Sequence, residues 1–327
     1  MFQKVKSNKL NYQLIISENK FPIIQIEGVK INNLTHPPFL YKYFSLNNNN
    51  INSLIKNELY VAEPNKLNDL FDANLWNIKT TKLDFQTLKS EYPEIFKSTE
   101  YHKFKSNKLN YTQKILNTYY ATWNARIGIL CTTTSPTNQL MWAHYANNAG
   151  YILEFDYSNF SMNFTGPYPI NYTNKLKKLN ITTANLDLGF LTNYLIKHKI
   201  WAYENEYRFL VFADKSPTFK SDGQFSYLNN PSVNQDRLVK IPKKCIKSII
   251  LGYNFFGRKN LIHKNKNEYK IAFSLDNDSI KINLLNYIVG KGIETQLIMV
   301  DIRNYKFEPV KIVITSEPNY IFNIIKQ

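Results

Sequence analysis

The chain has 327 residues, is 43% hydrophobic and 15% aromatic, and carries a formal net charge of +16. The aromatic content excludes a disordered chain, the lack of an apolar run near ~18 residues excludes a helical membrane protein, and two cysteines, Cys131 and Cys245, exclude a disulfide framework. The charge admits nucleic acid or an acidic protein as partner without specifying either, because 36 of the 41 basic residues are Lys, a point charge, rather than the bidentate Arg.

In chain order, residues 1–37 read as an N-terminal extension. Tyr12–Ser17 and Phe21–Ile26 are β-like runs that would form a hairpin across Glu18-Asn19-Lys20, and the segment ends at His36-Pro37-Pro38. The polar residues after Met1-Phe2-Gln3-Lys4-Val5-Lys6 argue against a secretory signal, so a cytoplasmic protein is expected. Residues 38–327 read as a single α+β domain. Phe39–Phe44 is a strand, Asn47 caps a helix carrying Ile51, Leu54 and Ile55, Leu59–Ala62 is a short strand, and Asn68–Asp72 is a turn. Residues 79–125 read as an α-helical insertion, with Tyr111, Ile115, Leu116, Tyr119 and Tyr120 on its buried face.

The pattern then turns to β. Ile129–Thr134 is a strand, Gln139–Ala146 a short helix ended by Gly150, and Tyr151–Phe155 a strand. Residues 190–200 suit a helix, Glu206–Phe212 a strand, Lys240–Leu251 a strand, and Gly292–Val300 another. Strict βαβ alternation is missing, so the class is α+β with mixed, largely antiparallel sheets.

Several chemistries have no local support. The glycines form neither a P-loop nor a dinucleotide fingerprint. His36, His102, His144, His198 and His263 lack ligand spacing, so no metal site is expected.

Four constellations remain. The first is Glu204-x-Glu206-x-Arg208. On a strand these alternate residues share one face, with Tyr203, Tyr207 and Phe209 on the other. Two adjacent carboxylates raise the proton affinity of one unless a cation intervenes, and Arg208 is that cation. A salt-bridge ladder on a half-exposed strand is the competing reading. The second is Leu140-Met141-Trp142-Ala143-His144-Tyr145, with Trp142 and Tyr145 on one helix face; a packing helix competes. The third is Tyr41-Lys42-Tyr43, a cation between aromatics, against an edge strand with an outward Lys. The fourth is Asn68-Asp69-Leu70-Phe71-Asp72, against an Asx turn.

Together these runs resemble the bacterial domain of unknown function family 2971. The matching blocks are Leu40 to Tyr43, Leu59 to Asp72, Cys131 to Asp156, Trp201 to Arg208 and Ile241 to Gly252. Phe44, Leu70 and Ala149 stand where that pattern has Arg, Pro and His. Members of the family are often met near phage-defence genes. A more distant likeness is to ADP-ribosyltransferases. It implies a cation on an early strand (Lys42), a second position at Thr132, Thr133 or Thr134 or at Tyr145, and a late Glu (Glu206, with Glu204 as its understudy).

The resemblance implies an enzyme using NAD, a toxin or phage-defence effector. Glu206, Glu204 and Arg208 would be catalytic. Tyr41, Lys42, Tyr43, Asn68, Asp69, Asp72, Thr132, Thr133, Trp142, His144, Tyr145 and Trp201 would hold the dinucleotide. Two alternatives are a non-catalytic partner of nucleic acid or protein, and a Mg²⁺-dependent nuclease using Asp69, Asp72 and Glu204 or Glu206.

Overall fold

Runs rich in β-branched and aromatic residues assemble around one long sheet. The computed structural model describes residues 2–7, 10–15, 23–27, 37–80, 84–91, 101–160, 164–175, 178–182, 186–212, 237–257, 260–265, 268–271, 275–315 and 321–325. The N-terminal strands are β1 (Phe2–Ser7), β2 (Leu10–Ile15) and β3 (Ile23–Glu27). There follow β4 (Leu40–Phe44), α1 (Asn48–Ile55), β5 (Glu58–Tyr60), β6 (Ile78–Thr80), α2 (Phe85–Glu91), α3 (Tyr101–Ser106) and α4 (Lys108–Arg126). The middle of the chain holds β7 (Ile127–Thr133), α5 (Gln139–Ala146), β8 (Tyr151–Phe155), β9 (Phe164–Pro169), β10 (Asn171–Thr173), β11 (Leu179–Ile181), α6 (Leu186–Asn193), β12 (Ile196–His198) and β13 (Glu206–Phe212). The last part holds β14 (Leu238–Lys240), β15 (Ile246–Leu251), β16 (Leu261–Asn265), β17 (Glu268–Ile271), α7 (Leu275–Lys291), β18 (Glu294–Asp301), β19 (Lys306–Thr315) and β20 (Ile321–Ile324).

The main sheet has eleven strands in the order β16-β17-β20-β19-β18-β15-β8-β4-β7-β13-β9. Its neighbours are antiparallel except β15 and β18, which run parallel. With seven helices among the described residues, the fold is α+β, mixed and largely antiparallel. β1, β2 and β3 form a separate antiparallel sheet. The turn expected at residues 18–20 lies outside the described residues.

The centre of the sheet is covered on both faces. All five residues of β8 are buried, as expected for a strand with cores on both sides. One core lies under α4 and α6 and includes Tyr111, Leu116, Tyr119 and Phe190. A second gathers Leu40, Ile51, Leu54, Tyr151, Leu284 and Ile288, where α1 and α7 pack on the sheet. A third, smaller core joins Met141, Trp142 and Ala146 of α5 to Tyr43, Ile152, Ile250 and Ile298.

Local signals explain most boundaries. Asn47 caps α1 through its side chain, accepting from the Asn50 N–H, and Asn138 caps α5 in the same way. α5 ends at Asn147 and Asn148, whose φ angles are 49° and 59°, so these and not Gly150 supply the left-handed stop. Gly150 answers a different need: any Cβ there would overlap the Phe44 carbonyl.

Residues 190–200 are not one helix. α6 ends at Asn193, β12 pairs with β10, and a 3₁₀ turn spans Lys199–Glu204. Strand pairing to β10 overrides the local helical pattern.

One junction in the sheet is thin. β4 and β7 share a single partner pair, Tyr41 with Thr133. β7 pairs with β13 over seven positions, and β4 with β8 over five. The sheet therefore forks between β4 and β7.

Candidate functional site

At the fork a cleft opens to solvent. Tyr41, Lys42 and Tyr43 of β4 line one side, and Cys131 and Thr132 of β7 the other. Glu206 and Arg208 come from β13, Tyr145 from α5, Lys197 from β12, and Lys66, Asn68 and Asp72 from the loops after β5. β4 lies between β8 and β7, so Lys42 is on an interior strand and not on an edge.

Glu206 and Arg208 point to one side of β13, as alternate strand residues do. Glu204 reaches the same place by another route. It ends the 3₁₀ turn, and Asn205 then adopts the left-handed conformation with φ 44°. The Thr133 hydroxyl donates to the Glu204 carbonyl, and the Glu206 N–H donates to the Tyr172 hydroxyl, which fixes the reversal.

Two cations hold the carboxylates together. Lys197 Nζ lies 2.5 Å from Glu204 Oε2, 3.0 Å from Glu206 Oε2 and 3.9 Å from Asp72 Oδ2. Arg208 donates from Nε to Glu206 Oε1 at 2.7 Å and from Nη2 to Glu206 Oε2 at 3.1 Å. It also clamps Asp72 through both terminal nitrogens and donates to the Tyr194 carbonyl at 2.6 Å. Arg208 is fully buried, and Glu204 and Glu206 are 3% and 5% exposed. Three carboxylates thus meet two cations, and Lys42 and Lys66 add two further positive groups on the cleft wall.

The charges divide the carboxylates by proton affinity. Burial alone would raise the Glu206 carboxyl, but Arg208 and Lys197 outweigh it and hold it at about 2. For Glu204, burial wins over Lys197 and the carboxyl is raised, with Glu206 adding repulsion. The Tyr145 hydroxyl donates to Glu204 Oε1 at 2.5 Å, and burial together with this carboxylate raises the phenol. Asn68, also on the cleft wall, opposes that rise. Burial lowers the Lys42 ammonium, although Glu206 opposes that shift. The Cys131 thiol is pushed up to about 12 by burial and by Glu206, so it is not a thiolate nucleophile.

The cleft gathers Tyr41, Lys42, Tyr43, Asn68, Asp72, Thr132, Tyr145, Glu204, Glu206 and Arg208. Five other expected residues lie elsewhere. Trp142 is fully buried, edge-on to Tyr43, with its indole N–H donating to the Pro136 carbonyl. His144 is exposed on the outer side of α5. Thr133 supports the Glu204 backbone from behind. Trp201 covers Lys197, whose Nζ is 5.1 Å from the indole centroid. Asp69 forms an Asx turn, accepting from the Phe71 N–H at 3.0 Å.

Lys197 is a cleft residue outside every matching block, and Lys66 and Cys131 lie inside matching blocks but are not among the expected site residues. Lys197 sits in a stretch with helical spacing and is one of 36 lysines, so no pattern singles it out.

Residues 141–209 match the model of a family described as a protein of unknown function, DUF2971. The matched segment runs from α5 into β13 and contains Tyr145, Lys197, Glu204, Glu206 and Arg208. No curated protein and no solved structure matches the chain, so the likeness to ADP-ribosyltransferases finds no counterpart there.

Proposed function

We propose that the cleft binds NAD and that the protein acts on it as an ADP-ribosyltransferase-like enzyme. One observation carries this reading: Lys42, Thr132 and Glu206 line a single cleft from three neighbouring strands, β4, β7 and β13. Those are the three positions that such an enzyme needs to bring together.

The chemistry of the lining supports it. The Lys42 ammonium makes one hydrogen bond, to the Cys131 carbonyl at 3.2 Å, and so keeps two donors for a ligand oxygen. Tyr41, Tyr43 and Tyr145 line the cleft with it. When the ribose–nicotinamide bond breaks, nicotinamide leaves with the bonding pair and positive charge develops on the ribose. Glu206, held ionised, supplies a fixed negative field there without accepting a proton. The incoming acceptor, water included, bonds to the ribose carbon, and its proton leaves through the open mouth.

The alternatives fit less well. A closed interior poor in polar groups would favour a non-catalytic partner, whereas this cleft is open and charged. In a nuclease, Asp69, Asp72 and Glu204 or Glu206 would share a metal; here Asp69 closes its own turn, and Lys197 and Arg208 stand between Asp72 and the two glutamates.

The test is nicotinamide release from NAD by the wild type and by Lys42→Met. The expected result is turnover by the wild type and a loss of at least ~10-fold in the variant. Absence of turnover in the wild type, or equal rates, would sink the reading.

A further inference from the structure

Glu204 and Glu206 line the same cleft but differ in what remains free on their oxygens. A carboxylate accepts about four hydrogen bonds. Glu206 receives three, all from charged donors: Arg208 Nε, Arg208 Nη2 and Lys197 Nζ. Glu204 receives two, from the Tyr145 hydroxyl on Oε1 and Lys197 Nζ on Oε2. Asp72 is clamped through both oxygens by one guanidinium, and its side chain is 1% exposed against 4% for Glu204.

A ligand hydroxyl that needs an acceptor therefore finds more room on Glu204, with one neutral and one charged donor, than on Glu206, held by three charged ones. Freeing more of Glu206 means removing a charged donor from a buried carboxylate, which is costly. Glu204 is also the carboxylate with a neutral partner. Tyr145 donates to it at 2.5 Å. The two groups come from α5 and from the 3₁₀ turn, and both line the cleft.

We infer that Glu204, oriented by Tyr145, is the carboxylate that accepts a hydroxyl of the bound nucleotide, and that Glu206 is a structural anchor acting through its charge. The inference rests on the reading of the cleft as a nucleotide site. It reverses the weight that the sequence places on the two residues.

The experiment compares wild type, Glu204→Gln, Tyr145→Phe and Glu206→Gln by thermal unfolding without ligand and with NAD or ADP-ribose, and by nicotinamide release. Glu204→Gln keeps the shape of the side chain. Its ligand-free midpoint should fall by less than ~3 °C, while the shift induced by NAD is lost. Nicotinamide release should fall at least ~100-fold. Tyr145→Phe, which removes one oxygen, should weaken NAD binding about 10-fold with a small change in midpoint. Glu206→Gln should lower the ligand-free midpoint by more than ~5 °C.

A Glu204→Gln protein that binds and turns over NAD like the wild type overturns the inference. So does a Glu206→Gln protein as stable as Glu204→Gln. If Glu204→Gln does not fold, Tyr145→Phe decides, and unchanged binding there overturns it. A wild type inert to NAD and ADP-ribose defeats the nucleotide reading, and with it the assignment of Glu204 as a nucleotide contact. The ligand-free midpoints still report whether Glu206 is the anchor.

Discussion

Two buried carboxylate sites flank β4, and they solve the same problem differently. On β8, Glu154 is 9% exposed and is satisfied by hydroxyls: Tyr41 donates to Oε1 at 3.2 Å and Ser248 to Oε2. Across the fork, Asp72, Glu204 and Glu206 are satisfied mainly by cations. A single carboxylate can rely on neutral donors because it has no like-charged neighbour to repel. Three that converge cannot, because each raises the proton affinity of the others until a cation intervenes. Burying such a cluster costs much of what its attraction returns, so it is weak evidence for stability. That cost is easier to understand if the charges serve a ligand.

The sharpest way to break the contrast is Arg208→Met. It strips Asp72 and Glu206 of their shared partner in a fully buried position, and should destabilise by about 3–5 kcal/mol in urea unfolding. A loss below ~1 kcal/mol would mean that water or Lys197 takes over, and that the cluster is less closed than it looks.

Acid sharpens the contrast next. The Glu206 carboxyl stands lower in the fold than its ordinary value of 4.5, at about 2. A depressed carboxyl contributes stability that is present above 4.5 and is lost as pH falls towards 2. The urea midpoint should therefore drop through that window. In Glu206→Gln, which starts lower, that contribution to the acid slope should vanish. A slope equal to that of the wild type would assign the acid sensitivity to other carboxylates.

The smallest expected effect is on the hydroxyl side. Ser248→Ala removes one donor from Glu154 and leaves Tyr41 in place, so about 1–2 kcal/mol is expected in the same assay. An effect as large as that of Arg208→Met would erase the distinction between the two sites.

The sequence made the outline of this site visible, and the reason is spacing. Glu206 and Arg208 alternate on a strand, and Asn47 and Asn138 announce helix starts with a local hydrogen bond. Contacts between distant segments were not visible. Asp72 and Arg208 are 136 residues apart, and nothing in the Asn68–Asp72 turn says that Asp69 closes the turn while Asp72 crosses to β13. Lys197 was hidden for a related reason. Its short strand exists because β10 is there to pair with it, so the local helical pattern misled. Glu204 was found for an incomplete reason. It reaches the cluster through the left-handed Asn205, not through strand alternation.

The fork has a consequence for backbone opening. Between β4 and β7 the described residues share one partner pair, so few interstrand hydrogen bonds resist separation there. Amides along that junction should exchange with deuterium faster than those between β8 and β15, whose register spans the length of both strands. The cleft is lined from both sides of that seam, by Lys42 of β4 and by Glu204 ahead of β13. A molecule gripped by both would act as the missing rungs of the ladder. Its arrival should then be legible as slowed exchange at Tyr41 and Thr133, before any chemistry occurs.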